Sequence, residues 1–290
     1  MRNYKIITDS ACDLPPKVIS DLDLHVIPLE YSFNGTSYIQ DVTDHGEKTK
    51  IFYEALRSGE SSKTSMINTA QFMSVFESYL EEQIDVLHIS FSSGLSGTYQ
   101  AALLAKEELE LKFPERKILV VDSRAASIGL GLLLYHVGQK KRDNYSMEEI
   151  ESWIEDHKFS GCHWFTVEDL NHLKKGGRIS PLSAHVGTAL NIKPILKMDF
   201  DGKLVNDGKV VGRKKSLLRL VLKMKEDGFS PEGQTIIIGH GDSLSDAQWL
   251  ESKLQKELHV ENIIMSYIGP VIGSHTGPGI IALTFLGKRF

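Results

Sequence analysis

Short runs rich in β-branched residues alternate with stretches of helical periodicity through the first half of the chain. That alternation restricts the fold to an α/β class with a largely parallel sheet, because a covering helix must return the chain between strands that run the same way. The strand candidates are residues 5–8, 25–31, 85–90 and 117–121. Between the last two, Ala102, Ala105, Leu109 and Phe113 recur at three- and four-residue steps and place one apolar stripe on a helix that should cover the sheet. A second helix is expected to start with Asn68 as N-cap and Gln71 three residues later, a capping-box pattern, and to bury Phe72, Val75, Phe76 and Tyr79.

The composition turns polar around residues 143–164, where a helix over 146–157 leads into a strand near 162–167. The domain change belongs there, giving an N-terminal α/β domain over residues 1–160 and a C-terminal domain over 161–290. For 290 residues two domains is the ordinary count at roughly 150 residues each. The second half reads as α+β or α/β. A hairpin joins 193–198 to 204–211 across Asp199-Phe200-Asp201-Gly202, and a helix starts at Arg213. Strands over 235–239, 262–268 and 280–285 follow, with a helix over 244–258.

Charge and cysteine usage exclude several function classes. The net charge of −5 offers no bulk basic field for nucleic acid or an anionic membrane. The two cysteines, Cys12 and Cys162, stand far apart and make no disulfide framework, so a reducing, cytoplasmic setting is expected. The N-terminus lacks the apolar region of a signal peptide. The longest apolar stretch, residues 125–137, falls short of the ~20 residues a membrane span needs, so no stable membrane insertion is expected. The eleven histidines are scattered without H-E-x-x-H or paired C-x-x-C spacing, which argues against a metal site.

Three first-half strands end in small polar clusters: Thr8-Asp9-Ser10, residues 90–98 and Asp122-Ser123. In open α/β sheets ligands bind beyond the carboxyl ends of the strands, so these clusters are candidates for one shared rim. The same residues also serve as plain helix caps. The loop Ser92-Ser93-Gly94-Leu95-Ser96-Gly97-Thr98 has more hydroxyls and glycines than a cap needs, and at a helix entrance it suits a phosphate or a carboxylate. No Walker-type glycine loop is present, and the lone G-x-G-x-x-A match, residues 277–282, precedes a strand and not a helix. Thr64-Ser65 offers a second hydroxyl pair at a helix entrance, with Lys63 beside it as a possible carboxylate partner. The glycine-rich stretch 269–279 reads as a loop carrying His275, a residue able to donate a hydrogen bond to an anion. Lys174-Lys175-Gly176-Gly177-Arg178 and Gly212-Arg213-Lys214-Lys215 are basic clusters that fit either solvated surface or an acidic partner.

Taken together and in order, these segments resemble the DegV family of fatty-acid-binding proteins, whose kinase-associated members are called FakB. The resemblance rests on Thr8-Asp9-Ser10 with Asp13-Leu14-Pro15, Val26-Ile27-Pro28-Leu29, Thr64-Ser65, the run from Ser92 to Ala102, Val121-Asp122-Ser123, Leu173 to Ile179, Lys193-Pro194-Ile195-Leu196 and the Gly269 to Gly279 stretch. It implies a two-domain α/β protein with a long-chain fatty acid in a tunnel between the domains. By position it implies Thr64 and Ser93, with Ser96 as near competitor, as carboxylate ligands, and His275 completing the network. It further implies no cofactor, and presentation of the acid to a separate ATP-dependent fatty acid kinase for acyl-phosphate formation on the way to phospholipid. Arg178, and with less definition Arg213, match the basic positions of that partnership. Where the family usually continues Thr-Ser with Gln-Pro, this chain has Met66-Ile67.

Two other functions compete on the residues alone. Serines at a strand-to-helix turn with an aspartate and a histidine are materials of a serine hydrolase or acyltransferase, although the loop is not G-x-S-x-G. The same anion-friendly loop also suits a protein that binds phosphate compounds.

Overall fold

The computed structural model describes residues 3–44, 46–168, 170–179 and 191–289. In chain order the first part holds β1 (Tyr4–Asp9), α1 (Pro16–Asp21), β2 (Leu24–Ile27), β3 (Glu30–Phe33), β4 (Thr36–Ile39), α2 (Glu47–Arg57), β5 (Ser62–Ser65), α3 (Thr69–Glu81), β6 (Asp85–Ser90), α4 (Thr98–Lys112), β7 (Ile118–Asp122), α5 (Ile128–Arg142) and α6 (Met147–His157). Then come β8 (Gly161–Thr166), α7 (Asn171–Lys175), β9 (Ile192–Met198), β10 (Leu204–Val211), α8 (Arg213–Asp227), β11 (Thr235–His240), α9 (Leu244–Leu258), β12 (Asn262–Tyr267), α10 (Pro270–Thr276) and β13 (Ile281–Leu286). Among the described residues no helix is long and apolar enough to cross a membrane.

The four strands β2-β1-β6-β7 form a wholly parallel sheet. Its central strand β6 is buried along its whole length, as a strand covered on both faces must be. On one side α3 and α4 supply Phe72, Phe76, Ala102, Ala105 and Leu109 to the core. The capping box forms as the spacing requires: Gln71 N–H donates to the Asn68 side chain at 3.0 Å, and Asn68 N–H to Gln71 Oε1 at 2.9 Å. Leu80 is buried with Phe72 and Phe76, whereas Val75 and Tyr79 are half-buried.

From β8 onward the strands join a second, mixed sheet in the order β10-β9-β8-β13-β11-β12. Strand alternation divides its residues between two faces. Cys162, Trp164, Ile236, Ile238, Leu283 and Phe285 pack with α8 and α9, while Phe165, Leu196, Ile237 and Ala282 face α5 and the first sheet. The α/β class with a parallel first half and a mixed second half therefore holds. The hairpin between β9 and β10 turns at Asp199–Gly202, where Gly202 N–H donates to the Asp199 carbonyl at 3.1 Å.

Three local expectations are corrected. Residues 25–31 do not make one strand. Pro28, which has no N–H for a ladder, separates β2 from β3, and β3 enters a separate antiparallel sheet in the order β4-β3-β5. Thr64 is accordingly not at a helix entrance but on β5, paired with Tyr31. The stretch 269–279 is not all loop: Pro270, preorganised for a first helical position, starts α10, which carries His275 in its last turn.

Candidate functional site

Between the carboxyl end of the parallel sheet and the inner face of the mixed sheet lies a cavity of about 980 Å³, counting the space open to solvent at its mouth. Its walls are mostly apolar, with Leu29, Phe91, Leu95, Ile128, Phe165 and Ile272 among them. Thr64, Ser96, Thr98, Arg178 and His275 supply polar groups to its lining. Such a long apolar volume with a small polar cluster suits an amphipathic ligand.

The polar cluster is assembled from distant parts of the chain. Thr64 Oγ1 on β5 and His275 Nε2 on α10 lie 2.9 Å apart, across 211 residues of sequence. Gly176, in the turn that leads to Arg178, packs directly on the imidazole: a Cβ there would lie 2.4 Å from His275 Nδ1. That nitrogen is buried without a hydrogen-bond partner. Burial, reinforced by the nearby Arg178 charge, pushes the His275 pKa down to about 4, so the ring is neutral at pH 7.

Ser96 Oγ pairs with Thr98 Oγ1 at 2.9 Å, and both residues face the cavity at the start of α4. Thr98 N–H donates to Ser96 Oγ at 3.3 Å, and the N-cap residue Gly97 has no side chain to bond the N–H groups that follow, so the positive end of the helix dipole faces this hydroxyl pair. Ser93 sits differently. Its N–H donates to Asp122 Oδ1 at 3.1 Å, and it is not part of the cavity wall. Among the described residues neither serine hydrogen-bonds a histidine. Lys63 is exposed and outside the wall. Arg213 is also outside it. Its Nε donates to Asp246 at 2.8 Å and its Nη2 to the Gly279 carbonyl at 2.6 Å, tying α8 to the turn beyond α10.

The aspartates that end β1 and β7 meet as one rim, but they hold the loop itself. Asp9 Oδ2 accepts from Phe91 N–H at 3.2 Å, and Asp122 Oδ1 accepts from Ser93 N–H and Arg124 N–H, each at 3.1 Å. Burial raises the Asp9 pKa to about 6. These carboxylates brace the β6–α4 loop from both sides.

Sequence reasoning gave no role to a second buried network. Asp13 Oδ2 accepts from Ser127 Oγ at 2.6 Å, and its Oδ1 accepts from Gly269 N–H at 2.9 Å and Gln40 Nε2 at 3.4 Å. Gln40 Oε1 accepts from Val271 N–H at 2.8 Å. Two side chains from the first part thus cap α10, the helix that delivers His275. Asp13 opens the Asp13-Leu14-Pro15 segment, but its partners Ser127 and Gly269 lie too far along the chain for sequence spacing to show. Among the described residues no three His, Cys, Asp or Glu side chains are placed to hold a metal.

Comparison with known proteins agrees with this geometry. The family model for DegV, described as uncharacterised proteins, matches residues 3–288. A DegV domain-containing protein of Clostridium perfringens is 44% identical over 287 residues, covering 99% of this chain and 98% of that one. A DegV lipid-binding protein of Thermotoga maritima superposes with a TM-score of 0.86 at 30% identity, covering 99% of this chain and all of that one. A stearic-acid-binding protein of Eubacterium ventriosum superposes with a TM-score of 0.87 at 26% identity over 99% of both chains. On a match that runs through all three sheets and every polar segment of the cavity, the chain belongs to the DegV family.

Proposed function

We propose that the protein binds one long-chain fatty acid in this cavity and does no chemistry on it alone. The observation that carries this reading is the Thr64–His275 pair, 2.9 Å apart, in the wall of an otherwise apolar cavity. A neutral imidazole that donates Nε2–H to Thr64 Oγ1 leaves the threonine hydroxyl hydrogen free for a carboxylate oxygen, and the Ser96–Thr98 pair at the start of α4 offers further donors. Donors of this kind replace lost water without adding a full charge to the acyl cavity. Ser96, which faces the cavity, takes the carboxylate in this reading, and Ser93 shapes the loop behind it.

The tail supplies most of the affinity. At ~0.8 kcal/mol per buried CH₂, a long chain contributes on the order of 10 kcal/mol before ordering costs. The lipid-binding and stearic-acid-binding descriptions of the two structural neighbours support the same ligand class. We further propose that the carboxylate end is presented to a separate fatty acid kinase, with Arg178 at the rim contributing to that contact and Arg213 shaping the adjoining surface.

Native mass spectrometry of the purified protein, followed by solvent extraction and identification of the released molecule, tests the binding step. A stoichiometric fatty acid that is diminished in Thr64→Ala and Ser96→Ala is the expected result. A protein that is empty and takes up no added fatty acid would overturn it. Adding a family kinase and ATP tests the second step: Arg178→Ala should retain bound acid yet yield less acyl phosphate.

A further inference from the structure

One residue is common to the walls of the large cavity and of a second, smaller one. His163 on β8 lines the large cavity on one side and a smaller one on the other, bounded by Gly129, Leu133, His136 and Trp153 and measuring about 320 Å³ with its open space. The imidazole is 7% exposed. Among the described residues it accepts and donates no hydrogen bond, and its Nδ1 is buried without a partner. Packing alone therefore sets the ring. It lies against Gly129 of α5, where a Cβ would come within 2.3 Å of Nδ1 and Cε1, and near Gly161, where a Cβ would lie 3.1 Å from Nε2. Burial and the charge of Arg289 hold its pKa well below the usual histidine value, so it presents a neutral wall.

The position along the strand matters as much as the contact. Arg178 and Leu173, at the polar end, follow the carboxyl end of β8, whereas His163 lies three residues upstream of Thr166, the last residue of that strand. At ~3.3 Å per strand residue the imidazole is set back by roughly 10 Å from that end. We propose that His163 is the end wall of the acyl cavity and a determinant of chain length, the terminal methyl group stopping against its imidazole. Removing the ring then joins the two cavities into one longer tunnel. This inference rests on the fatty-acid reading of the cavity.

Competition binding with a saturated series of increasing length, on wild type and His163→Ala, tests it. The wild type should show an optimum length. In His163→Ala the optimum should move to longer acids, with the relative affinity for an acid two methylenes beyond the wild-type optimum rising roughly fifteenfold, since each added buried methylene is worth about fourfold. His163→Phe, which keeps a wall, should keep the wild-type optimum. A folded His163→Ala with unchanged length preference would overturn the proposal. If that variant does not fold, the wild type loaded with an acid carrying a photoreactive diazirine at its methyl end gives the answer. Adducts on His163, Thr284 or Gly129 support the end wall, and adducts confined to other parts of the cavity refute it. Failure of wild type to hold any acid would instead remove the fatty-acid reading, a result visible before any variant is made.

Discussion

Asp13 and Gly269 stand 256 residues apart in sequence, yet the Asp13 carboxylate accepts the Gly269 N–H at 2.9 Å and so caps α10 from the other half of the molecule. Gln40 binds the Val271 N–H of the same helix, and the Ser266 hydroxyl donates to the Asp13 carbonyl at 2.5 Å. A seven-residue helix has little stability of its own. Its orientation, and with it the place of His275, is therefore held by side chains that stand behind the cavity wall and bond wall residues Ser127 and Val271.

Asp13 should make stability depend on pH. Burial raises its pKa to about 7 although its hydrogen bonds pull the other way, whereas in the unfolded chain it returns to the ordinary value near 4. The folded state then binds the proton more tightly, so the stabilisation is complete below about pH 4 and is lost as pH rises through about 7. Asp13→Asn keeps an acceptor for Gly269 and removes the titration. Relative to wild type it should gain stability between pH 5 and 8, by on the order of 2 kcal/mol. Urea melts across that range check this, and a constant difference between the two proteins would refute it.

The parts of the fold that were legible in the sequence are those held by local pattern. β6 and β7 carry short, mainly apolar runs with Val86, Ile89, Ile118, Val120 and Val121 as their β-branched residues, and α3 carries its capping box and apolar stripe within a few residues. The small antiparallel sheet was not legible. Ser62-Lys63-Thr64-Ser65 has no apolar alternation, and it becomes a strand because β3 offers a partner edge. α10 was hidden for a related reason: glycines flank it, and its caps come from Asp13 and Gln40. His275 and Thr64 were found as residue types, whereas their contact depends on long-range packing that no spacing records.

His275 should not impose a titration on binding near neutral pH. With its pKa pushed down to about 4, an ordinary histidine step near pH 6.5 is absent from the affinity profile. Dissociation constants measured from pH 5.5 to 8 in wild type and His275→Gln test the point. A step in that window that disappears in His275→Gln would show that the ring charges on binding. Loss of the His275–Thr64 pair itself should cost about 1 to 2 kcal/mol, roughly a tenfold weaker complex.

Gly176 and Gly177 should respond differently to alanine. At Gly176 a Cβ meets the His275 ring at 2.4 Å, so Gly176→Ala displaces the imidazole from Thr64 and weakens binding. Gly177 has φ of +68° with open space around it, so Gly177→Ala costs backbone strain of about 1 kcal/mol but leaves the ring in place. Calorimetry of fatty-acid binding, with melting temperature as control, separates the two. Equal loss of affinity in both variants would sink the argument that Gly176 seats His275.

The hairpin turn between β9 and β10 is clamped by groups from both parts of the chain, and its removal should loosen the molecule at that end. Ser92 Oγ donates to the Gly202 carbonyl at 2.7 Å, and Arg124 Nη1 to the Asp201 carbonyl at 2.9 Å. Arg289, 6% exposed, donates from Nη2 to the carbonyls of Arg124 and Asp199, at 2.9 and 2.5 Å. A buried guanidinium held by carbonyls satisfies several acceptors at once, and truncating it removes the side-chain donor of the Arg124 carbonyl and leaves Asp199 only its turn bond from Gly202. Arg289→Ala should therefore cost about 2 to 4 kcal/mol, and Arg289→Lys, which keeps the charge but not the planar fork, should recover only part of it. Because Met198 at the start of this turn lines the cavity proposed to hold the fatty acid, the same variant should also release a bound acid faster. Denaturant melts and stopped-flow release would check both effects, and a folded Arg289→Ala with wild-type stability would show that the clamp contributes nothing.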